Sequence, residues 1–145
     1  MKVREAMTRN PVCCTPTDTA DKVARMMCEH NVGSIPIVAD EQSRRLTGII
    51  TDRDLCCSVV AQGLDPKRTP IEQYMRRDPV ACRDDDSLEG CEQAMQKHQV
   101  RRMPVIDQQG RCIGIVAQAD LALKDKPDNV SKTVAAISQS KRAAA

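Results

Sequence analysis

Apolar positions along the chain fall into short stretches with two different periods. Ala20, Val23, Ala24 and Met27 recur at helical spacing, and so do Leu88, Cys91 and Met95. Each set is preceded by a short extended piece, "PVCCT" at 11–15 or "PVACR" at 79–83. Each is followed by two runs of strand character, "SIPIVA" with "RLTGIIT", then "RMPVID" with "CIGIVA". A last helix is predicted to start at "DRDL" in the first stretch and at "QADL" in the second. The order strand–helix–strand–strand–helix is thus written twice.

The duplication is visible residue by residue. Met7–Val38 aligns on Met75–Ile106 at an offset of 68, with 10 of 32 positions identical, among them Met7/Met75, Pro11/Pro79, Cys14/Cys82, His30/His98 and Pro36/Pro104. Two residues are then lost before Gly48/Gly114, and the match continues. Asp18 and Asp86 are the expected N-caps, with an acid three residues on at Asp21 or Glu89 in capping-box spacing. One repeat of about 60 residues with one apolar sheet face is marginal alone. Two packed sheet to sheet would bury both apolar faces, as one pseudo-symmetric α/β module. The expected divisions are 1–66 for the first motif with its linker, 67–125 for the second, and 126–145 for one short helix and a frayed tail. Within the linker, Asp65-Pro66 reads as a helix start.

Composition narrows the function classes. The 145 residues carry a net charge of +2, with no Phe, no Trp and one Tyr. Neither a basic face nor stacking platforms point to nucleic acid. No apolar run approaches the ~18 residues of a membrane helix, and "MKVREAMTRN" has no secretory apolar region, so a cytoplasmic protein is expected. The eight cysteines include the neighbouring pairs Cys13-Cys14 and Cys56-Cys57 and no CxxC. In that compartment they read as buried, reduced thiols serving as small hydrophobes. No phosphate loop, GxGxxG or HExxH occurs, and no Ser or Cys has an evident base, so no enzyme is indicated.

The repeated "MxxxPV" starts, the "VGSIPIVAD" and "VRRMPVID" strands, and the glycine-to-aspartate motif after each resemble a tandem pair of CBS domains, the Bateman module. The chain looks like the small stand-alone bacterial CBS-pair proteins. That resemblance implies clefts between paired sheets for adenine nucleotides or related adenosyl ligands (AMP, ADP, ATP, NAD or S-adenosylmethionine). It also implies a homodimer, a flat disc of four motifs, signalling to an unknown downstream protein partner. No cofactor would be required.

Thr51 and Asp54 stand three apart at a strand-to-helix junction. A carboxylate there can accept from ribose hydroxyls, and the hydroxyl and first helical N–H groups can meet a phosphate. By spacing alone both residues read as a helix cap; the matched motif turns them into ligand residues. The second copy keeps Asp120 but has Ala117 where the first has Thr51, so the first site is expected to bind better. By resemblance, a basic residue here meets the ligand's phosphates; strand neighbours face opposite ways, so at most one of the pair reaches a given cleft, and Arg102 matches the family position better than Arg101. Val12, Cys14 and Ile35 would line the adenine by resemblance, although the same residues suit a plain core. His30 and His98 close matching helices, where the macrodipole favours them over a metal role. The rival readings are a metal- or thiol-redox-responsive protein and a dimerisation module with empty clefts.

Overall fold

A computed structural model describes residues 1–143. Its elements in chain order are α1 (Val3–Ala6), β1 (Thr8–Arg9), α2 (Ala20–His30), β2 (Ser34–Val38), β3 (Leu46–Thr51), α3 (Asp52–Leu55), β4 (Arg76–Arg77), β5 (Cys82–Arg83), α4 (Leu88–His98), β6 (Arg102–Ile106), β7 (Cys112–Ala117), α5 (Gln118–Lys124) and α6 (Pro127–Ala143). They form two sheets, ordered β1-β7-β6-β5 and β2-β3-β4. The mixed α/β repeat read from the sequence is the fold.

The compact units do not follow the repeats along the chain. One unit holds Pro11–Pro79 with Gln109–Cys112; the other holds Met1–Asn10, Val80–Gln108 and the described residues from Ile113 onward. Each repeat has therefore given its leading segment away. Thr8 and Arg9 pair antiparallel with Ile115 and Gly114 of the second repeat, while Arg76 and Arg77 pair with Ile49 and Gly48 of the first. The division read at 66/67 separates repeats in sequence, whereas the compact units interleave. The equivalence also extends beyond the aligned residues. Val3 N–H donates to the Asp86 carbonyl and Ile71 N–H to the Asp18 carbonyl, 68 positions apart on both sides.

The unit built on Pro11–Pro79 packs Cys14, Ala20, Val23, Met27, Ile35, Ile37, Ile50, Leu55, Val59, Ile71 and Met75 into one core. Helix α2 supplies Ala20, Val23 and Met27 to it, at the spacing expected. In the other unit α4 supplies Leu88, Cys91 and Met95, together with Glu92. Both helices end on a left-handed residue, Asn31 or Gln99, so that a free N–H can turn back onto the last carbonyls.

Three local expectations need correction. The N-caps are Thr19 and Ser87, one residue later than expected. Asp18 and Asp86 instead close the loop before the helix by accepting from the N–H groups of Thr15 and Arg83. Neighbouring residues are all competent to cap, and the loop geometry selects among them. Asp65-Pro66 starts a turn, not a helix: Asp65 accepts from the N–H of Lys67 at its side chain and from the N–H of Arg68 at its carbonyl. The C-terminal helix is long, 17 residues, because Val130, Thr133 and Ile137 give it a face to bury. The frayed tail expected after it lies outside the described residues.

Candidate functional site

The β3–α3 junction brings Thr51 and Asp54 together. Thr51 Oγ1 accepts from the Asp54 N–H at 3.1 Å, and Asp54 Oδ2 accepts from the Thr51 N–H at 2.9 Å. This reciprocal pair is a capping box. It fixes the carboxylate at the head of the helix with its second oxygen, Oδ1, turned to Arg76 Nη2 at 3.4 Å. The carboxylate is mostly covered, 14% exposed, and the arginine is 62% exposed. The cap and the ligand readings are therefore compatible: capping uses one oxygen of Asp54, while the other meets a long, solvated arginine. The hydroxyl proton of Thr51 is left for a further acceptor.

At the β7–α5 junction half of this arrangement survives. Asp120 Oδ2 accepts from the Ala117 N–H at 2.8 Å, and Asp120 Oδ1 accepts from Thr8 Oγ1 at 3.3 Å. Ala117 supplies no hydroxyl in return. Thr8 and Arg76 occupy matching places, 68 residues apart, so the exchanged leading strand supplies the outer neighbour of each aspartate. Sequence reading missed Arg76 and Thr8, and the signal for them was the MxxxPV start itself, once the exchange is known.

Arg102 opens β6, half-buried, and Arg101 precedes it, exposed. Neither guanidinium has an ion-pair partner among the described residues. Gln118 N–H donates to the Arg101 carbonyl, as Asp52 N–H does to that of Gly33, so the arginine pair is anchored beside the α5 head through its backbone.

Two of the expected adenine-lining side chains are core residues. Ile35 is fully buried and Cys14 is 2% exposed, both within the apolar cluster. Burial also pushes the Cys14 thiol up to about 12, so it stays protonated. Ile35 lies in β2, whose five residues are all buried, and Cys14 joins that strand through an isolated bridge to Ile37. Val12 is only half-buried and can still line an adenine.

The thiols divide. Cys14, Cys82, Cys91 and Cys112 are buried, Cys13 is half-buried, and Cys28, Cys56 and Cys57 are exposed. The expectation of mostly buried cysteines thus fails for three, which lie on outer faces of helical turns. His30 and His98 are exposed helix ends. Among the described residues no three His, Cys, Asp or Glu side chains gather as metal ligands, and no helix is long and apolar enough to cross a membrane. A hollow of about 640 Å³ in the Met1–Asn10 unit is lined by Ser87, Glu92, Lys124 and Asp125; none of the expected site residues borders it.

A family model described as CBS domain matches residues 3–60 and again 71–125. The CBS domain-containing protein YhcV of Bacillus subtilis (strain 168) is 39% identical over 121 residues, covering 83% of each chain. Hypoxic Response Protein I, crystallised with two coordinated zinc ions, is 32% identical with a TM-score of 0.77, over 87% of this chain and all of that one. A CBS domain pair solved with 5′-methylthioadenosine and S-adenosyl-L-methionine is 27% identical with a TM-score of 0.75, over 85% of this chain and 98% of that one.

Proposed function

The chain belongs to the CBS domain family, and on that premise we propose that it is a regulatory protein sensing an adenosine-containing ligand. The observation that carries the reading is the pair of junction aspartates, Asp54 and Asp120. Each is fixed by a backbone N–H through one oxygen and holds the other outward against a single, replaceable neighbour. A ribose diol presents two donors at the spacing of one carboxylate and can displace Arg76 or Thr8. The displaced Arg76 then becomes a free cation for a phosphate. Thr51 and the α3 head add donors at the first site; Arg102, with Arg101 beside it, adds charge at the second. The related pair solved with two adenosyl compounds supports the ligand class. AMP, ADP, ATP, NAD and S-adenosylmethionine all present the recognised ribose and adenine.

The signal would pass to a partner protein through a dimer. Val60 is 70% exposed at the end of the π-helical turn Cys56–Val60 that follows α3, and Leu123 is 83% exposed on α5. Each is a candidate contact with a second copy. Zinc, held by a related structure, is the less favoured ligand here, since no three potential metal ligands converge among the described residues.

A thermal-shift screen of the five adenosyl ligands, run beside zinc, tests the reading. A ligand at a hundred times its dissociation constant adds about 2.7 kcal/mol, a shift of roughly 5–10 °C for a chain of this size. Stabilisation by zinc alone would overturn the proposal in favour of a metal sensor.

A further inference from the structure

Cys13 and Cys112 are 99 residues apart in sequence and meet in the Pro11–Pro79 unit, joined by one arginine. Arg44 donates from Nη2 to Cys13 Sγ at 3.3 Å and to the Pro11 carbonyl at 3.3 Å, and from Nε to the Cys112 carbonyl at 3.3 Å. Its own carbonyl accepts from the Cys112 N–H at 2.8 Å. The guanidinium thus ties together the two segments that carry the thiols. Its backbone is held in the left-handed region, at φ 53°, within a turn closed by Asp40. A non-glycine residue in that region is uncommon and persists where the surroundings hold it. The Cys112 side chain hydrogen-bonds that of Cys13. That hydrogen bond, and after it the charge and hydrogen bond of Arg44, lower the pKa of Cys13 despite the opposing effect of burial.

We propose that Cys13 is a peroxide-reactive cysteine and Cys112 its resolving partner, a reversible modification site built around Arg44. The Cys13 thiolate sulfur attacks one oxygen of hydrogen peroxide. The O–O bond breaks, and the departing hydroxide takes a proton to leave as water. Cys13 is then a sulfenic acid. The Cys112 sulfur attacks it, forming the S–S bond, and the sulfenic oxygen leaves with the thiol proton as a second water. Two thiols and one peroxide give one disulfide and two waters. Cys112 is fully buried and cannot meet the oxidant itself, so the order of events is set by access. The other close pair, Cys82 and Cys91 with sulfurs 3.4 Å apart, is buried on both sides. The Cys13 site is distinct from the junction aspartates Asp54 and Asp120 on which the proposed function rests.

The test uses the full reduced chain, limiting hydrogen peroxide, alkylation of the remaining thiols, and peptide mass spectrometry over time. A Cys13–Cys112 linked peptide should form, with Cys13 reacting about tenfold faster than Cys28, Cys56 or Cys57. In Cys112→Ala the sulfenic acid at Cys13 should persist and be trapped by dimedone, and in Arg44→Gln the reaction at Cys13 should slow about tenfold, with partial recovery in Arg44→Lys. If Cys112→Ala fails to fold, the wild-type time course decides alone. Equal rates at Cys13 and the three exposed cysteines, or linkage of Cys13 to any other thiol, would overturn the assignment.

Discussion

Met75 lies against Gly48. A Cβ on that glycine would stand 3.1 Å from the methionine sulfur and 2.9 Å from the Arg76 carbonyl oxygen. Met7 meets Gly114 in the same way, at 2.5 Å from the sulfur, with the Thr8 carbonyl at 3.2 Å. The glycine of each β3-type strand is thus the seat of the leading segment that belongs, in sequence, to the other repeat.

The two seats differ in what would have to move. Gly48→Ala drives a methyl into a paired backbone carbonyl, so it should lower stability by about 1–3 kcal/mol. In Gly114→Ala the closest neighbour is a flexible thioether, which can swing aside. Removing it should relieve the clash: Met7→Ala should partly restore Gly114→Ala, whereas Met75→Ala should not restore Gly48→Ala. Urea titrations of the four variants check this, and equal rescue at both seats would contradict it.

Ligand binding should be unequal between the junctions. Asp54→Asn keeps an oxygen to accept the Thr51 N–H but loses the charge that strengthens a ribose contact, so it should weaken binding about tenfold, ~1.4 kcal/mol, with little change in melting temperature. Asp120→Asn acts where Ala117 already leaves the site incomplete, and its loss should be smaller. Ala117→Thr should strengthen that weaker event. Calorimetry on the three variants decides, and a larger loss from Asp120→Asn would reverse the ranking of the sites.

Glu92 makes stability depend on pH in an unusual direction. It is 4% exposed, and burial, followed by the nearby Asp125 carboxyl, raises its pKa to about 7. One Asp125 oxygen is buried without a donor, and the proton held by Glu92 is what that oxygen needs. Because the folded pKa lies above the unfolded one, the folded state binds the extra proton. The contribution is therefore full below the ordinary Glu range and is lost as pH rises towards 7. Glu92→Gln supplies an uncharged donor at all pH values. It should be more stable than wild type above pH 7, by on the order of 1–3 kcal/mol, and the gap should close towards pH 4. Melting curves of both proteins from pH 4 to 8.5 measure it; a gap that stays constant would rule out this titration.

Thiol accessibility should follow the division seen in the structure. Cys28, Cys56 and Cys57 should react with a disulfide reagent in the native protein, with Cys13 joining them, and denaturant should release the four buried thiols. Timed absorbance of the released thiolate counts both classes. Eight fast thiols without denaturant would mean that the cores open readily.

Much of the fold was legible because burial imposes a period. The apolar positions of α2 and α4 lie where helical spacing puts them, and the ten identities of the duplication follow from the two units sharing one plan. The exchange of leading segments was not legible. Thr8-Arg9 and Arg76-Arg77 fit either sheet equally well by pattern, and partner choice is a property of the folded chain rather than of either segment. For the same reason Thr51 and Asp54 could be paired from their spacing, while Arg76, their neighbour across the exchange, could not. Cys14 and Ile35 illustrate the converse: an apolar residue beside a motif looks alike whether it faces a ligand or the interior.

The pairing of Thr8 with Ile115 also sets a timetable. Ile115 is made 107 residues after Thr8. At the ~5–20 residues per second of protein synthesis, that is a wait of roughly 5–20 s. Over that interval the Pro11–Pro79 segment has nearly all of its own parts and can fold ahead of the rest. The first ten residues, Val3 and Met7 among them, must meanwhile stay unpaired with their apolar side chains in water, where a nascent-chain chaperone would find them.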